Sequence, residues 1–178
     1  MTDIDTPQQQ TPDKARQGRV TGSIAGALLD CAPYMSKDAA FRTVVRSMHN
    51  MPSEFARNIA TKWGNANEAL ALAAYEMETG NDVVEAGFVP FDNWLGASPA
   101  GYVGDDGIVE IKCPFGIRKN TPPVFKSLED QPQYYAQIQI QLFCTDRDWC
   151  DFWQWTPHGR SIERVKYNPE WIAENIPA

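Results

Sequence analysis

The sequence predicts an α+β domain in which helices flank a mixed central sheet, and three observations carry that prediction. An alanine- and leucine-rich stretch over 65–79, closed by Gly80, repeats its apolar residues at helical spacing. Two β-type segments, 101–104 and 107–113, flank Asp105-Asp106 with glycine on either side, the signal of a hairpin. A second pair, 149–155 and 161–167, is turned by Thr156-Pro157-His158-Gly159. With 178 residues, 43% of them hydrophobic, the chain suffices for one domain with its own core.

Taken in order, 1–12 is polar and Gln/Thr-rich and is expected to be a flexible end, with a single domain over 13–178. Residues 36–50 carry Ala39, Ala40, Val44, Val45 and Met48 near helical spacing and stop before Pro52. In 65–79, Ala66, Leu70, Ala73, Ala74 and Met77 share one face, while Leu72, Tyr75 and Glu68 lie opposite. That helix is expected to pack on both sides, with Glu68 among neighbours. Residues 82–91 are apolar and β-branched and read as one strand. On 107–113, Ile108, Glu110 and Lys112 point one way, and Val109, Ile111 and Cys113 the other, until Pro114 stops the strand. A tight hairpin puts position 100 roughly across from Glu110. By pattern alone 133–143 stays open: Gln137 to Leu142 alternate like a strand, whereas Asp130-Gln131-Pro132 begins a helix. Pro169–Asn175 closes the chain as a short helix.

Composition narrows the class. No apolar run approaches the ~18 residues of a membrane span. The four cysteines lack C-x-x-C spacing and read as buried thiols of a cytoplasmic protein rather than as zinc ligands or a disulfide framework. A net charge of −7 argues against coating nucleic acid nonspecifically. Lysines and arginines nevertheless cluster at 14–19, 42–62 and 112–126, which leaves room for a basic groove in an acidic exterior. There is no G-x-x-x-x-G-K-[ST] phosphate loop, which excludes an intrinsic nucleotide-driven motor.

Glu110-Ile111-Lys112 is the centre of the chemical reading. A carboxylate and an ammonium two apart on a strand share one face. Metal-dependent phosphodiester cleavage needs carboxylate oxygens for Mg²⁺ and a group that orients or deprotonates the attacking water. E-x-K alone is weak, since exposed salt-bridged pairs share the form.

The surrounding residues supply more. Ser98-Pro99-Ala100-Gly101 followed by Glu110-Ile111-Lys112-Cys113-Pro114-Phe115 resembles the signature of PD-(D/E)XK nucleases, specifically the lambda exonuclease (YqaJ-like recombinase) family. Arg16 with Val20-Thr21-Gly22-Ser23 is similar to its phosphate-binding start. Trp63-Gly64, Glu68, Tyr75-Glu76 and Gly80 are similar to its acidic helix. Tyr134, Ala136, Gln137 and Gln139 are similar to its glutamine helix, which favours helix over strand for 133–143.

The resemblance implies a PD-(D/E)XK core and a processive exonuclease that degrades one strand of linear duplex DNA from its 5′ end. It would leave 3′ overhangs for a single-strand annealing protein. Glu110 and the Ile111 carbonyl would bind Mg²⁺, with Mn²⁺ able to substitute, Lys112 would assist the water, and Glu68 would serve the second-metal side directly or through water. Arg16, Ser23, Ser98 and Gln137 would grip the 5′-phosphate, which suits a doubly charged group. Tyr134 would lie along the DNA, although tyrosines there are more often core, and Ser23 also reads as a helix cap. A homotrimeric ring and a phage or prophage origin in a bacterial host follow by the same analogy.

One position departs from the pattern. The family aspartate after Ser98-Pro99 is Ala100 here, and a methyl group cannot coordinate a cation. Asp105 and Asp106 belong to the hairpin turn and do not replace it. Two origins are open: an inactivating substitution that holds DNA uncut, or a noncatalytic DNA-end-binding or recombination scaffold. A restriction-type endonuclease of the same superfamily is a third reading, distinguished by cutting of closed circular DNA.

Overall fold

The computed structural model describes residues 14–54 and 58–177, so the expected flexible end over 1–12 lies outside the described residues. Five strands form the main sheet in the order β2-β5-β6-β7-β8: β2 (Val83–Val84), β5 (Gly101–Val103), β6 (Gly107–Lys112), β7 (Trp149–Thr156) and β8 (Gly159–Lys166). All neighbours are antiparallel except β6 and β7, which run parallel and are joined through helix α4 (Pro132–Thr145). A smaller sheet, order β1-β4-β3, contains β1 (Val20–Thr21), β3 (Val89–Phe91) and β4 (Leu95–Ala97), with β1 parallel to β4. The remaining helices are α1 (Gly22–Leu28), α2 (Lys37–Met48), α3 (Ile59–Thr79) and α5 (Pro169–Asn175).

The two faces of β6 sort as their alternation predicts. Ile108 joins Phe152, Cys150, Ile138 and Leu142 under α4. Val109 joins Trp153, Ala71 and Tyr75 under α3, with Ile111 and Cys113 packed beside them. Trp149 and Trp155 also pack against that second cluster, so the tryptophans serve the sheet as expected. The turn at Asp105-Asp106 is formed, with Gly104 at φ 59°, a left-handed conformation that suits glycine.

Helix α4 shows why its own sequence reads two ways. Ile138 and Leu142 face the main sheet, Ile140 faces the small sheet with Ala25, Leu95 and Ala97, and the glutamines between them are buried as well. A helix enclosed on several sides loses the single apolar stripe that identifies an amphipathic helix. Helix α1 approaches it on glycines: a Cβ on Gly26 would lie 2.8 Å from Gln133 Cα, closer than packed atoms tolerate.

Four expectations need correction. Residues 82–91 are two short strands in different sheets, broken at Gly87 (φ 65°). Helix α3 begins earlier than 65, with Asn58 as its N-cap through Oδ1. It buries Ala71 and Tyr75, but Ala66, Leu70 and Ala73 are exposed and Met77 is 87% exposed, so the helix packs on one side only. Glu68 lies on the packed side with Leu72 and Tyr75 but is itself exposed, at the rim of that face. Of the cysteines only Cys150 is buried, the other three being half-buried free thiols.

A polar network ties α3 to the sheet. The Tyr75 hydroxyl donates to Asp151 Oδ2 at 2.7 Å, and Arg164 donates to both oxygens of the same carboxylate at 2.8 and 3.0 Å. Asp151 is 1% exposed, so each donor matters. Burial and then the Asp151 bond push the Tyr75 phenol well above its ordinary pKa. Its neutral form is therefore favoured in the folded state. As pH rises beyond the ordinary tyrosine value of ~10, the unfolded phenol loses its proton first and stability falls.

Two outcomes are expected. Tyr75→Phe should cost about 1–3 kcal/mol in urea unfolding at neutral pH and should flatten the loss of stability above pH ~10. Gly26→Leu should lower stability by about 1–3 kcal/mol through overpacking; an unchanged urea midpoint would contradict the close α1–α4 approach.

Candidate active site

The site forms where β6 ends against α4. Glu110 is 5% exposed, and its carboxylate is held from three directions. Lys112 Nζ stands 2.7 Å from Oε1, Gln137 Nε2 donates to Oε1 at 2.9 Å, and Gln141 Nε2 donates to Oε2 at 2.8 Å. Lys112 Nζ also donates to Gln137 Oε1 at 3.0 Å, which closes a ring of carboxylate, ammonium and amide. Its ammonium lies 4.6 Å from the centre of the Tyr134 ring, which in turn packs on Phe152. Tyr134 is thus a half-buried shelf for Lys112.

Electrostatics follow the geometry. Burial alone would lower the Lys112 pKa; the Glu110 charge and the Tyr134 and Tyr34 phenols outweigh it, and the ammonium is held above its ordinary value. Partial burial, then the Glu110 charge, raise the Glu68 carboxyl, with Lys112 acting the other way. Glu68 therefore faces the same field as Glu110 although no hydrogen bond joins them. Burial and then Glu68 push the Cys113 thiol up to about 11.

Position 100 falls where the hairpin predicts. Gly101 pairs with Val109 and the Ala100 N–H also donates to Val109 O at 3.0 Å, so Ala100 stands at the end of the hairpin pairing, within a residue of the register expected opposite Glu110. Ala100 packs against the cluster of Ala71, Tyr75 and Val109, between the strand that bears Glu110 and the helix that bears Glu68.

The expected phosphate grip assembles in part. Parallel pairing of Val20 with Leu95 and Thr21 with Gly96 brings the segments of Ser23 and Ser98 out at the same end. Arg16 donates to the Ser98 hydroxyl, and its guanidinium lies 5.1 Å from the Phe88 ring centre. Phe88 in turn covers Gly96, where any Cβ would overlap the ring. Ser23 does not cap α1; Thr21 is the N-cap residue, and the Ser23 hydroxyl bonds to Thr21 Oγ1 at 3.1 Å. Gln137 is engaged with Glu110 and Lys112 rather than turned toward Arg16. Of the other basic residues, Arg46 pairs with Glu54 and Arg118 folds over Phe115, while Arg57 lies outside the described residues.

Gln141 is absent from the residues that the sequence singles out. Its i+4 spacing from Gln137 is the signal that puts both amides on one helical face. Phe88 and Tyr34 carry no such signal, because a shelf beneath an arginine and a rim aromatic arise only from tertiary contact.

Glu110 and Glu68 are hard oxygen donors of the kind that hold Mg²⁺. Among the described residues no group of three or more His, Cys, Asp or Glu side chains stands together as a metal set. The donor chemistry of these two carboxylates fits a hard divalent cation, and Ala100 offers no oxygen where the resemblance leads one to expect an aspartate.

Comparison with known proteins identifies the family and the fold. The model of the YqaJ-like viral recombinase domain matches residues 13–148. An alkaline exonuclease from Laribacter hongkongensis is 31% identical, with a TM-score of 0.73 over 90% of this chain and 83% of that one. The same enzyme in complex with dAMP matches equally. A phage-related exonuclease from Haemophilus somnus 129PT, 16% identical, shares the fold at a TM-score of 0.68 over 88% of this chain and 87% of that one. Among curated protein sequences, none matches at the level that would indicate kinship. The mixed sheet flanked by helices is that of PD-(D/E)XK-type exonucleases, and the chain belongs to the YqaJ-like viral recombinase family.

Proposed function

We propose that the protein acts on ends of linear duplex DNA, as a 5′-to-3′ exonuclease scaffold whose chemistry Ala100 has impaired. The observation that carries this reading is the buried Glu110 carboxylate, paired with Lys112 on one strand face, in the hairpin whose other strand is led by Ala100. Glu110, with the Ile111 carbonyl and Glu68 nearby, would hold Mg²⁺ or Mn²⁺. When bound, such a cation supplies Lewis-acid stabilisation of the scissile phosphate and lowers the pKa of water. Lys112 holds a proton beside Glu110 and orients oxygen ligands at that carboxylate. Arg16 and Ser98 bind a terminal phosphate through charge-assisted hydrogen bonds, and Ser23 stands at the same end of the small sheet. Gln137 bonds to both Glu110 and Lys112 and braces their direct contact.

The product of such a reaction is a 3′ single-stranded overhang, which fits a single-strand annealing protein as partner. A homotrimeric ring around DNA and action in the cytoplasm of a bacterial host complete the proposal. No helix among the described residues is long and apolar enough to cross a membrane.

A second reading rests on Ala100 itself: without that carboxylate the chain is a DNA-end-binding recombination scaffold. The two separate on 5′-phosphorylated linear duplex DNA with Mg²⁺. The Ala100→Asp form should release nucleotides from the 5′ end, while the chain with Ala100 should bind ends and cut orders of magnitude more slowly. Binding without cleavage by both forms would favour the scaffold, and cutting of covalently closed circles would favour an endonuclease. Arg16→Gln should reduce the preference for 5′-phosphorylated over 5′-hydroxyl ends by about 10- to 100-fold, as loss of a charge-assisted hydrogen bond predicts. Competition binding of the two ends checks this, and an unchanged ratio would remove Arg16 from the grip.

A further inference from the structure

Gln141 lies one helical turn beyond Gln137 and is 1% exposed. Its Nε2 donates to Glu110 Oε2 at 2.8 Å and to the Ser98 carbonyl at 3.3 Å. Both partners can only accept, so the side-chain amide fits in one orientation, with its NH₂ toward them. The Oε1 atom is left buried, and no hydrogen bond reaches it. A buried acceptor without a donor is unfavourable and uncommon, and here it occurs beside the carboxylate on which the site is built. The amide is also confined: a Cβ on Gly22 would lie 3.8 Å from Gln141 Cγ, so α1 backs this side chain closely.

Resting on the exonuclease reading above, we propose that Gln141 is a positioning residue for metal loading: Nε2 fixes Glu110 through Oε2, and Oε1 accepts a hydrogen bond from water of a hydrated divalent cation. Lys112 and Gln137 hold the other carboxylate oxygen, so the three contacts together determine how Glu110 presents itself. A hydrated Mg²⁺ keeps several waters, each a strong donor, which is what the orphaned oxygen lacks. The bond to the Ser98 carbonyl joins this carboxylate to the segment whose hydroxyl meets Arg16, linking the metal side to the phosphate side.

The experiment titrates the full chain carrying Ala100→Asp with Mg²⁺, reading the rise in melting temperature, alone and with Gln141→Leu. The expected result is that Gln141→Leu needs about 10-fold or more Mg²⁺ for the half-maximal rise, as loss of an outer-sphere partner does elsewhere. Nucleotide release should then fall steeply at limiting Mg²⁺ and much less at saturating Mg²⁺. A variant that merely melts lower without metal, with the same Mg²⁺ half-point as its parent, overturns the proposal. A parent that does not respond to Mg²⁺ at all overturns the exonuclease reading and this proposal together. Should Gln141→Leu fail to fold, Gln141→Met, which keeps the shape of the side chain, is read by the same two criteria.

Discussion

Placing an ionised carboxylate almost entirely out of water is expensive unless each oxygen finds a donor, and the Glu110 site is organised around meeting that requirement. The donors are one ammonium from the same strand and two amides from a helix that arrives later in the chain. Helix α4 must therefore lie across the end of β6 in one rotation. Ile138 and Leu142 fix that rotation against the main sheet, and Ile140 fixes it against the small sheet. The glycines of α1 let that helix come close enough to press the glutamines into place. Packing and polarity thus serve a single arrangement, in which moving α4 would strand a buried charge.

The other side of the sheet answers a similar demand with different chemistry. Asp151 is enclosed on β7 and satisfied by a phenol and a bidentate guanidinium, and nothing about it calls for a ligand. The contrast between the two carboxylates is informative. Asp151 is bound by groups that complete its bonding, whereas Glu110 sits beside Glu68, whose pKa it raises, and beside an amide oxygen with no donor. A structural carboxylate closes its network; the one at the end of β6 leaves an opening in it.

Much of this was legible in the residues because it depends on local periodicity. The alternation along β6 sorted Glu110 and Lys112 onto one face, and the paired glycines around Asp105-Asp106 set the register that pairs Gly101 with Val109 and leaves Ala100 at the end of the hairpin. What escaped depends on tertiary enclosure. Helix α4 lost its stripe because it is covered on several sides, which also hid Gln141 at the end of a run of glutamines with different duties. Gln139, two residues away, holds the Lys166 carbonyl and the Asn168 N–H instead. Helix α3 erred in the opposite sense: its alanines and leucines fit a buried face by composition, yet Leu70 and Met77 are solvent-exposed. The two-residue strand β1 carries almost no pattern of its own and is a strand only through its pairing with β4, far along the chain.

That last feature sets when the protein can become competent during its own synthesis. Arg16 emerges early, but Ser98, to which it bonds, follows 82 residues later, and β1 has no partner until β4 is made. Glu110 in turn has only Lys112 beside it until α4 has been translated and folded back. The pairings that build the site are distant in sequence, and such contacts form slowly because loop closure precedes any return from them. The Arg16–Ser98 contact can therefore form before α4 exists, whereas the Glu110 carboxylate gains its two amides only when α4 has been made, so the two halves of the site are completed at different times.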